Sequence, residues 1–280
     1  LFRAKKVEVM LLSNKGRCRF VLGASVQGFF YGRPRSTWPT LLAAARGIVS
    51  LGFGVELWPC REEGEPDPDR DTIAALRAAC QGAPFVSLHS RPEHWAWDPA
   101  ELQREIALSR ALGAQALVLH PGSLGLIEQG SRPDFPEIRR LAQDAEDAGV
   151  RLALENGKDS QWALDWVLEE IGDDPVMTNL GICIDVGHAH LSKSGGRDPV
   201  RHYLERYRAS LVHLHVHDNV GEVDEHRLPG EGTIDWRAVL ATLEKIGYAG
   251  PAVFELHPEG ELLPAFARAR SFLEGLFEEA

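Results

Sequence analysis

Six short apolar runs in this chain each stop on a histidine, an aspartate or a glutamate, and they do so at nearly constant spacing. FVSLH ends on His89, ALVLH on His120, RLALE on Glu155, GICID on Asp185, LVHLH on His215 and PAVFE on Glu255. The intervals are 31, 35, 30, 30 and 40 residues, the last lengthened by a polar loop that holds Asp224 and His226. A strand, a loop, a crossover helix and a second loop together need about 30 residues. The period is therefore that of a βα unit, and few folds accommodate it repeated so regularly.

Helical patterns fill the intervals. They are TLLAAARGIVSLGF, a stretch from about Thr72 to Cys80, PAELQREIALSRALG, PDFPEIRRLAQDAEDAG, SQWALDWVLEEIG, DPVRHYLERYR, IDWRAVLATLEKIG and GELLPAFARARSFLEGLF. Upstream, VEVMLL and RCRFVLGAS flank Asn14-Lys15-Gly16, which reads as a hairpin turn leading into the first barrel strand, and GVELWP supplies the second. Strand and helix alternate eight times with no shift in composition between them. This predicts an α/β fold, a closed parallel (β/α)8 TIM barrel with a short N-terminal β-hairpin extension, as a single domain over residues 1–280. The rival, an open doubly wound sheet, normally carries a glycine-rich phosphate loop after its first strand; neither G-x-G-x-x-G nor the Walker pattern occurs here.

In such barrels chemistry sits at the C-terminal ends of the strands, where these polar residues fall. One strand-end aspartate is more often a turn former or a helix cap. Several at one spacing are different. Glu155, Asp185, His215 and Glu255 end strands five to eight and are expected to converge, and three adjacent carboxylates cannot all ionise without a countercharge. No basic residue ends these strands to provide it, so a divalent cation is the expected partner. One imidazole and three carboxylates suit Mn²⁺, Mg²⁺ or Co²⁺, and also Zn²⁺. His89, His120 and His188 either extend the site to further metals or hold substrate hydroxyls. Glu56 and Trp58 share one face of the second strand, from which either can approach a substrate. The loop SRPEHWAWDP after His89 brings Trp95 and Trp97, which either stack on a ligand ring or pack over the barrel end.

The remaining composition limits the partners. With 41 acidic and 30 basic residues the formal net charge is -11, a field that disfavours nucleic acid unless basic loops or bound cations reverse it locally. Cys18, Cys60, Cys80 and Cys183 form no C-x-x-C pair and read as reduced structural thiols. No apolar run reaches the roughly 18 residues of a membrane span, and the first residues lack a signal-peptide core, so a cytoplasmic location is expected. The helical faces do not decide whether the chain forms a homo-oligomer.

The runs LVLHPG, LALENG, GICIDVGHAH, HVHDNVGEVDEHRLPGEGTIDW and VFELH, spread from about His89 to His257, resemble the xylose-isomerase-like TIM-barrel superfamily. That group is often described as sugar phosphate isomerases/epimerases and also contains metal-dependent apurinic/apyrimidinic endonucleases. For the sugar branch, the resemblance implies one metal held by Glu155, Asp185, His215 and Glu255. Glu155 and Glu255 would lie on opposite faces of the substrate, moving a proton through a metal-stabilised enediolate, with His188 bonded to a substrate oxygen. The chain departs from ketose 3-epimerases in having Gln161 where they place a second glutamate and Gly221 where they place an arginine. For the nuclease branch, it implies three zinc ions: one on His89, His120 and Glu155, one on Glu155, Asp185, His215 and Glu255, and one on His188, Asp224 and His226. The acidic charge, the ordinary Gln27-Gly28-Phe29 loop and the lack of a basic stripe speak against that branch. The expectation is a divalent-metal-dependent isomerase or epimerase of a small sugar, sugar phosphate or polyol, with Trp58, Trp95 and Trp97 as substrate contacts. The alternative is a zinc-dependent apurinic/apyrimidinic endonuclease that hydrolyses a phosphodiester.

Overall fold

Valine, isoleucine and leucine runs four to six residues long, buried on both faces, form a parallel sheet that closes on itself. The computed structural model describes residues 10–12, 19–30, 37–59, 68–91, 97–171 and 174–278. Strand β1 (Met10–Leu12) pairs antiparallel with β2 (Arg19–Ser25), which gives the expected hairpin extension; its Asn14-Lys15-Gly16 turn lies outside the described residues. Then β3 (Gly54–Leu57), β4 (Val86–His89), β5 (Ala116–Leu119), β6 (Arg151–Glu155), β7 (Leu180–Asp185), β8 (Leu211–Val216) and β9 (Pro251–Phe254) follow in order, each parallel to the last. β9 returns to β2 with Ala24 opposite Phe254, so eight parallel strands form a closed barrel.

The crossovers are helices, and aspartates start most of them. They are α1 (Trp38–Ser50), α2 (Arg70–Ala79), α3 (Pro99–Leu112), α4 (Phe135–Asp147), α5 (Gln161–Ile171), α6 (Val186–Leu191), α7 (Pro199–Arg206), α8 (Trp236–Ile246) and α9 (Leu262–Glu278). The side chains of Asp69, Asp98, Asp134, Asp198 and Asp235 each accept a backbone N–H of the first turn, satisfying donors that have no partner inside the helix. Helix α2 starts at Arg70 rather than Thr72 because Asp69 caps it. The six-residue helix α6 was not expected. It exists because Asp185, at the end of β7, accepts the His188 N–H at 2.7 Å. None of the described helices is long and apolar enough to cross a membrane.

Most of the core lies between the barrel and its helices, while Val118, Ala153 and Cys183 pack inside the barrel itself. Trp162 and Trp166 pack against the outer core, as their i, i+4 spacing suggests. The Phe85 ring covers Gly54 so closely that a Cβ there would sit 2.3 Å from it. Cys80 and Cys183 are buried free thiols; Cys18 and Cys60 lie outside the described residues.

One buried ion cluster fixes the chain as it leaves β4. Arg91 pairs with Glu101 and Glu105 of α3, and Glu105 Oε1 also accepts the Arg91 backbone N–H at 3.0 Å. Burial pushes the Glu105 carboxyl up, against the pull of Arg91. Arg104 stays beside Glu101, so removing Arg91 strands chiefly Glu105. The Arg91→Met variant is expected to lose about 3 kcal/mol of stability, read as a lower urea midpoint. An unchanged midpoint would show that the cluster is energetically inert.

Candidate metal centre

His89, Glu155 and Asp185 are the last residues of β4, β6 and β7, His215 is the penultimate residue of β8, and His120 and Glu255 directly follow β5 and β9. The closed sheet brings all six to one rim. His89 Nε2 lies 3.2 Å and His120 Nε2 3.7 Å from Glu155 Oε2. His215 Nδ1 lies 3.1 Å from Glu155 Oε1, 3.6 Å from Glu255 Oε2 and 3.8 Å from Asp185 Oδ2. All are buried except His120, which is partly exposed. Among the described residues, every ion-pair partner of Glu155, Asp185 and Glu255 is a histidine, so no arginine or lysine neutralises this acid cluster.

The β8–α8 loop completes the rim. Its Asp218 and Arg227 form a short antiparallel bridge, and the Asp218 carboxylate accepts from the Gly230 N–H and the Trp236 indole N–H at 2.9 and 2.8 Å. Asp218 therefore shapes the loop, while Asp224 and His226 reach the cluster. His188 Nε2 lies 3.0 Å, His226 Nε2 3.3 Å and His217 Nε2 3.7 Å from the Asp224 carboxylate. Each of two rings is oriented by its other nitrogen: His188 Nδ1 donates to the Asn156 carbonyl and His226 Nδ1 to the Glu255 carbonyl, both at 2.9 Å. That leaves Nε2 with its lone pair toward the cluster, the usual arrangement of a ligating histidine. His226 adopts a left-handed backbone, φ 49°, alone among the described residues other than glycine.

Five overlapping sets of donors result, the ligating atoms of each set lying within 4.8 Å of one another; besides Glu56, His213 and His215, and His89, His215 and Glu255, three more take up the rim residues. One is His89, His120 and Glu155; the second is Glu155, Asp185, His215 and Glu255; the third is His188, His217, Asp224 and His226. The residues singled out from strand-end spacing and resemblance thus come together. His217 was missed. Its ring stacks on His226 at 4.0 Å between centroids, and it fits because residue 187 is glycine; a Cβ there would fall 1.9 Å from the ring. The available signal was the alternation His213, His215, His217, which puts all three on one strand face.

Electrostatics and donor chemistry fit a divalent cation in the second set. Burial pushes the Glu255 carboxyl up to about 7; the nearby Glu155 charge adds to this, and His215 opposes it. Burial also works to raise Glu155, but His215, His120 and His188 hold it well below the usual carboxylate range. Glu255 Oε1 is buried and finds no hydrogen-bond partner among the described residues. Three carboxylates, one imidazole and an open oxygen valence form an oxygen-rich ligand set. The first and third sets, richer in imidazole, would suit Zn²⁺.

Above the donors lies a cavity of about 320 Å³ lined by Trp58, Glu155, His188, Asp224, Glu255 and His257, among others. Trp58 meets the His89 ring edge-on. Trp97 instead packs against Gly125 and the outer core and does not line the cavity, and Trp95 lies outside the described residues. Glu56 has the same strand parity as Trp58 but does not reach the cavity. It is fully buried inside the barrel, two residues and about 7 Å lower along the strand.

The sequence model of the xylose isomerase-like TIM barrel matches residues 46–276. The chain is 33% identical over 147 residues to the uncharacterized protein MJ1311 of Methanocaldococcus jannaschii, covering 50% of each. It is 30% identical over 172 residues to a probable endonuclease 4 of Thermoplasma acidophilum, covering 56% of this chain and 58% of that protein. The chain spans about half the length of the curated relatives it matches. Among solved structures, an L-ribulose 3-epimerase superposes with a TM-score of 0.70 at 18% identity, covering 92% of this chain and 94% of that one. At that identity the likeness speaks for the fold alone.

Proposed function

The chain belongs to the xylose isomerase-like TIM-barrel family, and on that premise we propose that it is a divalent-metal-dependent isomerase or epimerase of a small sugar, sugar phosphate or polyol. The observation that carries this is the pair Glu155 and Glu255, both buried and lining one cavity of about 320 Å³, within the range of small-molecule sites. A cation held by Glu155, Asp185, His215 and Glu255 would supply Lewis-acid polarisation of a substrate oxygen. One glutamate takes the proton from the carbon adjacent to a carbonyl whose oxygen takes up the electron pair, and the other returns a proton to the opposite face. His120 and His188, at the cavity edge, bond substrate hydroxyls, and Trp58 offers an apolar surface to the sugar ring. The acidic net charge of -11 supports a small carbohydrate partner over a polyanion.

A specific observation favours a second reading. The third set, His188, His217, Asp224 and His226, offers donors that a single-metal proton transfer does not need, and a relative carries the name endonuclease 4. Several cations around one phosphate suit in-line hydrolysis of a phosphodiester.

Incubating the metal-loaded protein with a panel of ketoses, aldoses and inositols in D₂O separates the two readings. The expected result is solvent deuterium in a recovered sugar or polyol at the isomerised or epimerised carbon. No incorporation with any substrate, together with nicking of an abasic duplex and close to three equivalents of bound zinc, would overturn the isomerase in favour of the nuclease.

A further inference from the structure

Beneath the proposed metal centre, inside the barrel, a carboxylate and three polar side chains are sealed from solvent. Glu56, Ser87, His213 and His215 are all buried, and they come from β3, β4 and β8. The two ring nitrogens of His215 face different partners. Its Nδ1 faces Glu155, Glu255 and Asp185 at 3.1 to 3.8 Å, whereas its Nε2 hydrogen-bonds Glu56 Oε2 at 3.4 Å. We propose that Glu56 is the positioning residue of the metal centre, accepting the His215 Nε2–H so that Nδ1 presents its lone pair to the cation. The inference rests on the metal centre proposed above.

A neutral imidazole carries one N–H, and a ligating nitrogen cannot be the one that bears it. The proton must therefore sit on Nε2, deep in the barrel, where only a protein group can accept it. Glu56 is that acceptor, and it is itself held in place. Its Oε2 accepts from Ser87 Oγ and from His213 Nε2, each at 3.0 Å, and Ser87 is its direct cross-strand neighbour. His213 Nδ1 is buried and finds no hydrogen-bond partner among the described residues, which places the His213 proton on the Nε2 that faces Glu56. Three donors thus converge on one carboxylate, and the negative charge opposite Nε2 makes Nδ1 a better ligand. A residue serving only to fill the barrel would need neither the charge nor this convergence.

The test measures Co²⁺ binding to the full chain by calorimetry and by visible absorption, for the wild type, Glu56→Gln and Ser87→Ala. Glu56→Gln is expected to weaken Co²⁺ binding about 10- to 100-fold and to move the Co²⁺ absorption bands, while the metal-free Tm stays level or rises because a buried charge is gone. Ser87→Ala should weaken binding in the same direction by less, and it carries the test if Glu56→Gln fails to fold. Wild-type affinity and spectrum in a folded Glu56→Gln would overturn the inference while leaving the metal centre standing. Loss of one whole equivalent of cation in that variant would make Glu56 a ligand and also overturn it. A wild-type chain that binds no Co²⁺ would overturn the metal centre and this inference together.

Discussion

Glu255→Gln and Glu155→Gln are each expected to lower turnover by roughly 100- to 10,000-fold while the barrel remains folded. The amide keeps the shape of the carboxylate and one acceptor oxygen, but it cannot carry a proton between the two faces of a substrate. Metal affinity should fall as well in both variants, because Glu155 and Glu255 each belong to two donor sets. Deuterium wash-in rates measured beside metal content separate loss of chemistry from loss of cation. Either variant turning over at the wild-type rate with full metal would end the two-glutamate assignment.

Removing the cation is expected to destabilise the fold itself. Glu155, Asp185 and Glu255 crowd around His215, and among the described residues only histidines offset their charge. A ligand bound only by the folded state at a hundredfold excess over its Kd contributes about 2.7 kcal/mol. In a chain of this size each kilocalorie moves Tm by roughly 2 to 4 °C. Calorimetry with saturating Mn²⁺, and again after chelation, should therefore differ by about 5 to 10 °C, with recovery on adding Mn²⁺ back. The same Tm under both conditions would mean that no cation occupies this rim.

How much of this was legible beforehand follows from what a one-dimensional pattern encodes. The spacing of strand ends revealed the barrel, because a closed parallel sheet brings every C-terminal strand end to one rim whatever the loops do. It also brought His89, His120, Glu155, Asp185, His215 and Glu255 into one neighbourhood before any coordinates were known. Helix α6 escaped because six residues are too few to show helical periodicity, and its cause is a single aspartate that caps it and faces His215 at once.

What alternation along a strand cannot express is depth. Glu56 and Trp58 share a face, as do His213, His215 and His217, yet Trp58 reaches the cavity while Glu56 and His213 are sealed below it. That height is decided by the register between strands, with Glu56 opposite Ser87 and Asp185 opposite His215, and by closure of the barrel, which brings Glu56 against His215 across 159 residues. The chain by itself thus determined that the strand-end residues share one rim and which way they face, though not that His217 joins them. Only the tertiary structure decided which of them meet a substrate and which stand behind a ligand, because pairing register is a property of two strands and not of either one.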